Sequence, residues 1–595
     1  MFEEYLGTHP LAGLIRRFPL PLFPKAGDRA AWAAWAALPR DSREALRRLA
    51  SEYRNVDYPP LTARQYMAFD RTGDRAAFEH PYFLRRRKLC AAVLGTCADG
   101  DMSGLDDVVD GVWCVCEETG WNLSAHNDSR PLPDPDDPVL DLFSAQTAMI
   151  LSLTCQLLPE ALDAVSPLLR RRARREIERR VLGPFETRDD FWWMGFTRRD
   201  LCNWTPWIVS NVMLTACAWV DDLPRLCALL ERGLMMVDRY LAAIPADGGC
   251  DEGPGYWSMA GGAVLDCLEL LERVTGGGVV FWNDPKLRAL LRSPLNSWLG
   301  GPWFANFADC DAMPDIPGER LRFAGKRLDD PALVALGGRF EQSPADHLSD
   351  TPQLWRLLSG LFHPCPDVLP DVAPPGDVWL NDSQLRVVRS GGMVLACKGG
   401  VNAGSHSHND CGSFILLVDE EPQIVDAGNM AYTKKTFSDQ RYALWNTRGM
   451  YHNVPVIGDH EQVSGIKCRA KDVAATPAGL TLDIAGAYPV EGCVVRRTIA
   501  LDRHLTLLDE IRLPAPLPVT EVLMLRHRPE IVGSAVVSGA IRIVPAFDST
   551  IKVEEIPVDD PRMAKNYPGS LWRVTFTVPP ASCHMLRLKI ERNDP

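Results

Sequence analysis

From the start of the chain to about residue 370, apolar positions recur at three-to-four spacing, the period of helices with one buried face. SREALRRLASEYR, DLFSAQTAMILSLTCQLL, RRRARREIERRVLGPF and AVLDCLELLERV carry the pattern most plainly. Short breaks separate such stretches: PLPDPDDP at 131–138, DGGCDEGPG at 247–255 and GGG at 276–278. The spacing predicts about ten to fourteen helices, packed in pairs as a bundle, solenoid or ring. No repeat of fixed length is present, which disfavours a regular solenoid.

Residues 362–378, FHPCPDVLPDVAPPGDV, hold five prolines and read as a linker. Beyond them the period shortens to two in LRVVRSGGMVLACKGG, GSFILLVDEE, PQIVDAG, LTLDIAGAY, CVVRRTIALDR, HLTLLDEIRL, EVLMLRHR, AIRIVPA and WRVTFTV. Turn signals about every ten residues between them suit an antiparallel sandwich. The pattern therefore predicts a multidomain α+β chain: a helical domain over 1–370, then an antiparallel β domain over 371–595. The cleft between two such domains is the default place for a site.

The 595 residues are too many for one ordinary core, in keeping with that division. A net charge of −13 argues against a general nucleic-acid binder but leaves room for a local cationic cleft. The seventeen cysteines form no CxxC pair, and thiols used this freely suggest a reducing compartment. MFEEYLGTHPLAG lacks a basic, then apolar leader, and no apolar run reaches the ~18 residues of a membrane span. A soluble cytoplasmic protein, with no membrane partner, is the expectation; a homo-oligomer is compatible with everything so far.

The densest chemistry lies between Gly404 and Gln462, which holds His406, His408, His452 and His460 of the twelve histidines. On a straight strand His406 and His408 would face one side, so a twist or bulge near Ser407 is needed for them to diverge. His408, Asp426 and His452 make a two-nitrogen, one-oxygen set that suits zinc. The plain alternative is a group of hydrogen-bonding residues at an interface, and a catalytic zinc hydrolase stays open although HExxH is absent. Upstream, the loop around Glu252 delivers Tyr256, and a tyrosine near cations loses its proton more readily. NWTPWIVSN offers Asn203, Trp204, Trp207 and Asn211: amides that bind a carboxylate without adding charge, and rings that stack on sugars or pack a core. EETGWNLSAHN adds Glu117, Glu118 and His126 as substrate-binding or structural groups. Arg85-Arg86-Arg87-Lys88, Arg198-Arg199, Arg441 and Arg448 are candidates for carboxylate or sulfate, although charge runs are usually solvated faces.

Together these motifs resemble the heparinase II/III-like polysaccharide lyases. The resemblance rests on G-x-H-x-H-x-D-x-x-S-F (Gly404 to Phe414), V-D-A-G at 425–428, Tyr432, R-G-x-x-H-N at 448–453, the run from Asp247 to Tyr256, and Ser210-Asn211. It covers both domains in order and implies an incomplete (α/α) toroid followed by an antiparallel β-sandwich. It also implies β-elimination of an anionic, uronic-acid-containing oligosaccharide or polysaccharide. Tyr256 would be the acid, and also the base for one sugar epimer. His406 would be the base for the other epimer or would hold the carboxylate, which Asn211 neutralises. His408, Asp426 and His452 would hold a structural zinc beneath the loop of His406. Many members have Asn-His where this chain has Asn211-Val212, and Asn203 is the alternative asparagine. Without a visible leader, the implied substrate is a short oligosaccharide taken into the cell. A toroidal glycoside hydrolase using Glu117, Glu118 or Glu252, and a non-catalytic glycan-binding protein, are the competing functions.

Overall fold

The computed structural model describes the chain apart from residues 17, 19, 27–28, 129, 251, 349–350, 364–374, 405 and 594–595. Most of the proline-rich linker therefore lies outside the described residues. The chain divides into two compact units: Met1–Ile244, Ser258–Leu291 and Pro317–Asp371 in one, Pro245–Trp257, Arg292–Ile316 and Val372–Pro595 in the other. The second unit thus takes in two stretches that precede residue 370.

The first unit is helical, with helices of eight residues or more from Arg29–Ala36 to Leu354–Phe362. Arg40–Tyr53 is amphipathic and buries Leu46 and Leu49. Leu142–Leu157 is apolar on nearly every side and buries every residue but Gln156. It packs against Trp204–Trp219, buried from Thr205 to Cys217. Asp141 starts the first of these by accepting from the backbone N–H groups of Phe143 and Ser144. RRRARREIERRVLGPF is not one regular helix. It is α-helical to Ile177, makes a π turn over Glu178–Leu182 and resumes at Gly183. Pro184 has no N–H to give the preceding turn, which favours the wider turn there. Among the described residues no single helix is long and apolar enough to cross a membrane.

The second unit is an antiparallel β structure whose two longest strands, Leu505–Leu525 and Ser570–Arg592, pair along most of their length. HLTLLDEIRL and EVLMLRHR are parts of that first strand, continuous through PAPLP because register shifts between Arg512 and Val519 absorb the prolines. LRVVRSGGMVLACKGG is a hairpin, Leu385–Ser390 and Met393–Lys398, turned at Gly391 and Gly392 with φ of 56° and 76°. Two successive positive φ values are what a primed two-residue turn requires.

Strands Met393–Lys398 and Phe414–Val418 are buried on both faces. Leu395, Cys397, Phe414, Leu416 and Val418 join the main sandwich core. The alternate residues Ala396, Ile415 and Leu417 pack on Leu299, Ala305 and Phe307. Double burial explains why FILLV reads as an unbroken apolar run. It also explains why residues 292–316 belong to this unit: they cover the sheet's outer face.

Arg497 anchors the histidine loops to this core. Fully buried, it pairs with Asp509 at 2.5 Å and Glu521 at 3.2 Å and donates to the carbonyls of Gly412 and Asn453. Those carbonyls lie four residues beyond His408 and one beyond His452.

Candidate active site

The segment carrying His406 and His408 is a loop between the strands Met393–Lys398 and Phe414–Val418, not a strand. A twist within a strand is therefore not what separates the two rings. Arg441 holds the turn between them, donating from Nε and Nη2 to the Ser407 carbonyl at 3.2 Å. His408 is fully buried, whereas the His406 side chain keeps 13% exposure.

Both histidines nevertheless meet one carboxylate that the sequence motifs do not include. Asp309 lies 3.0 Å from His406 Nδ1 through Oδ2 and 3.0 Å from His408 Nε2 through Oδ1. Arg441 Nη2 adds a contact of 2.9 Å to Oδ1. Burial opposes the charged carboxylate, but hydrogen bonds from His406, His408 and Arg441 outweigh it and hold the Asp309 pKa well below the usual range. Glu252 approaches the other nitrogen of His406, Nε2, at 3.2 Å.

Behind His406, the ligand atoms of His408, Asp426 and His452 lie within 4.8 Å of one another, all buried. Asp426 Oδ2 is 3.0 Å from His452 Nδ1. His408 Nδ1 and His452 Nε2 are buried with no hydrogen-bond partner. Two orphaned imidazole nitrogens beside a carboxylate are costly to bury as they stand. The three residues fit a divalent ion such as zinc, with Asp309 and the Gly428 N–H as their outer partners.

A pair of tyrosines stands beside His406 Nδ1. Tyr256, in the short 3₁₀ turn Pro254–Ser258, shares a hydrogen bond with the hydroxyl of Tyr432. Each hydroxyl is 3.4 Å from His406 Nδ1. Close packing sets Tyr256: a Cβ on Gly253 would sit 2.6 Å from Cys310 Cβ, and the Gly255 N–H points at Cys310 Sγ at 3.3 Å. Arg562, paired with Asp311 at 2.9 Å, lies 5.4 Å from the Tyr432 ring centroid. The expectation of an easily ionised Tyr256 is reversed. Desolvation, then Tyr432 and Glu252, raise its pKa well above the ordinary phenol, and Arg562 offsets only part. Burial raises Tyr432 as well. Both are proton-bearing phenols at neutral pH. Exposed Phe437 completes this side, edge-on to His406 at 5.4 Å.

The remaining candidates divide by unit. Asn203, Trp204, Trp207, Asn211, Glu117 and His126 all belong to the helical unit. His126 Nδ1 is 2.7 Å from the buried carboxylate of Asp141, and its ring lies 4.6 Å from that of Trp204. Trp192 and Trp204 are half-buried and pack on each other at 5.1 Å, with Arg198 4.9 Å over the Trp192 ring. Trp207, Trp193 and Trp257 are buried and belong to the packing, so Trp207 presents no free face to a sugar. Asn203 and Asn211 are buried, and one N–H of Asn211 goes to the Trp207 carbonyl at 2.8 Å. Glu117 is exposed, whereas Glu118 is buried against Arg86 at 2.7 Å and Arg85 at 3.2 Å. The run Arg85–Lys88 is thus neither an open anion site nor a solvated face, since Arg86 and Lys88 are buried. Arg448 is committed to Glu461 at 2.6 Å, and Arg441 to Asp309.

A helical unit and an antiparallel β unit of this kind make up a toroid-and-sandwich fold, one shared with solved lyases. A heparan sulfate lyase HepC mutant from Pedobacter heparinus superposes with a TM-score of 0.60 at 14% identity, covering 100% of this chain and 87% of that one. Heparinase III superposes with a TM-score of 0.63 at 11% identity, covering 94% and 93%. A xanthan lyase from Paenibacillus gives 0.53 at 11%, covering 100% of this chain and 60% of that one. At these identities the likeness shows the fold. Residues 373–541 match the family described as heparinase II/III-like, C-terminal. No curated protein sequence matches it.

Proposed function

We propose that the protein is a lyase that cleaves a uronic-acid-containing glycan by β-elimination, leaving a 4,5-unsaturated uronate. The observation that carries this is the meeting of two phenols and an imidazole: the Tyr256 and Tyr432 hydroxyls each 3.4 Å from His406 Nδ1. Elimination needs a base for the proton beside the carboxylate, an acid for the departing oxygen, and a group that stabilises charge on the carboxylate. Tyr256, which keeps its proton, suits the acid. His406, partly exposed and steered by Asp309, suits the base or the carboxylate partner. The asparagine expected to bind the carboxylate, Asn211 or Asn203, belongs to the helical unit. Zinc held by His408, Asp426 and His452 would supply structure, tying down the loop whose other histidine meets the substrate.

Incubation with oligosaccharides from heparan sulfate, chondroitin, alginate and other uronate polymers tests this. The conjugated product absorbs in the ultraviolet, and Tyr256→Phe should remove the signal. New reducing ends without that absorbance would point to hydrolysis instead, a function weakened by the engagement of Glu118 with Arg85 and Arg86. Glycan binding without any turnover would point to a binding protein.

A further inference from the structure

We infer that Asp309 is the positioning residue of this site, fixing the orientation of His406 and His408 together and the tautomer of His408. The inference rests on the proposal that His406 meets substrate and His408 holds zinc. A carboxylate is an acceptor only, so each nitrogen facing it must carry a proton. Asp309 faces His406 Nδ1 and His408 Nε2, both at 3.0 Å. The other nitrogen of His406, Nε2, faces a second carboxylate, Glu252, at 3.2 Å, whereas the neutral ring of His408 is left with its lone pair on Nδ1. The latter is the buried atom without a partner beside Asp426 and His452. One side chain therefore turns His408 Nδ1 towards the ion site and holds His406 by the nitrogen that the two tyrosine hydroxyls also approach.

The backbone around Asp309 is shaped for that task. Ala308 is left-handed, with φ of 68°, a strained conformation for a residue with a Cβ. The Cys310 N–H donates to the Ala308 carbonyl at 2.8 Å, closing a three-residue turn centred on Asp309. The Asp309 N–H donates to the His406 carbonyl at 3.1 Å, and Asn429 Nδ2 donates to the Asp309 carbonyl at 3.2 Å. Asn306 Nδ2, from the same segment, donates to the carbonyl of Asp426 at 3.1 Å. The turn is thus fastened through its backbone to the His406 loop and to the Asn429 side chain, and the Asn306 side chain ties the same segment to the carbonyl of Asp426.

Asp309→Asn in the full chain tests the inference. An amide offers one acceptor oxygen, and its NH₂ would confront a ring N–H, so at most one histidine keeps its partner. Three quantities are read: zinc affinity by competition with a chromogenic chelator, melting of zinc-loaded and stripped protein, and kcat and KM on the glycan found by the screen. Zinc affinity should fall by about ten- to a hundred-fold. The melting difference between loaded and stripped protein should shrink, with the stripped variant melting like stripped wild type. On the glycan, kcat should fall while KM stays within about threefold, as expected when the reacting group is misaligned rather than substrate binding lost. If Asp309→Asn does not fold, Asp309→Glu carries the same charge one methylene further out and should also lose at least about tenfold in zinc affinity. Variants that bind zinc as tightly as wild type, or that lose zinc with kcat unchanged, overturn the joint role of Asp309. Wild type that takes up no zinc overturns the ion site itself, a distinguishable failure.

Discussion

Tyr256 and Tyr432 sit hydroxyl to hydroxyl beside His406, and both phenols are raised above the ordinary value by burial. After burial, each has its own carboxylate among the charges that raise it, Glu252 for Tyr256 and Asp309 for Tyr432. Tyr432→Phe removes a partner of the acid rather than the acid, so kcat is expected to drop by about tenfold. Tyr256→Phe removes the acid and should cost about a hundredfold or more, each read by steady-state rates on one substrate. At this scale the sequence revealed much of the site and missed its centre. The trio His408, Asp426 and His452 was visible because histidines are few and their spacing suits an ion. Tyr432 stood within the family motif without a role of its own. Asp309 and Arg562 carried no signal: NFADCDAMPD and DDPRMAKN look like ordinary polar loops. His406 is 97 positions from Asp309, so only folding brings them together.

Among the elements, the approach of residues 306–310 to the segment after strand Glu421–Ile424 is the tightest constraint near the site. Gly428 has φ of 64°, and a Cβ there would lie 2.3 Å from the Cys310 carbonyl oxygen. Gly428→Ala is expected to destabilise by about 1–3 kcal/mol and to lower zinc affinity, through displacement of the turn that carries Asp309. Chemical denaturation and chelator competition would measure the two effects. Helix positions were legible because three-to-four spacing survives local irregularity. The π turn at Glu178–Leu182 was not, since an arginine-rich amphipathic run looks the same with or without one extra residue in a turn. PAPLP misled in the opposite direction: prolines that usually stop a strand are absorbed by register shifts within Leu505–Leu525. The unbroken burial of FILLV showed a strand but could not show that residues 292–316 cover its second face.

For the whole molecule, the second unit is assembled from three stretches of chain. A fragment beginning at residue 372 would lack Tyr256 and Asp309 and would expose Ala396, Ile415 and Leu417, which pack on Leu299, Ala305 and Phe307. It is expected to aggregate or to elute as a large species in size-exclusion chromatography, and a well-behaved monomer would show that the cover is dispensable. The buried group of Arg497, Asp509 and Glu521 makes a pH prediction. Desolvation, then Asp509, hold the Glu521 pKa well above the usual carboxyl range despite Arg497. A raised carboxyl pKa gives a stability contribution that is complete below the unfolded value of about 4.3 and declines as pH rises towards the folded one. Glu521→Gln cannot ionise, so its melting temperature should gain on wild type between about pH 5 and 8. Arg497→Met leaves the two acids without their cation and should cost about 3–5 kcal/mol, seen by the same melts.

Elimination at a uronate by Tyr256 and His406 is followed by ultraviolet absorbance during digestion of uronate oligosaccharides. Wild type should generate the unsaturated chromophore from at least one of them, and Tyr256→Phe, folded as judged by melting, should not. Reducing ends released without the chromophore, or a chromophore formed equally well by Tyr256→Phe, would contradict it.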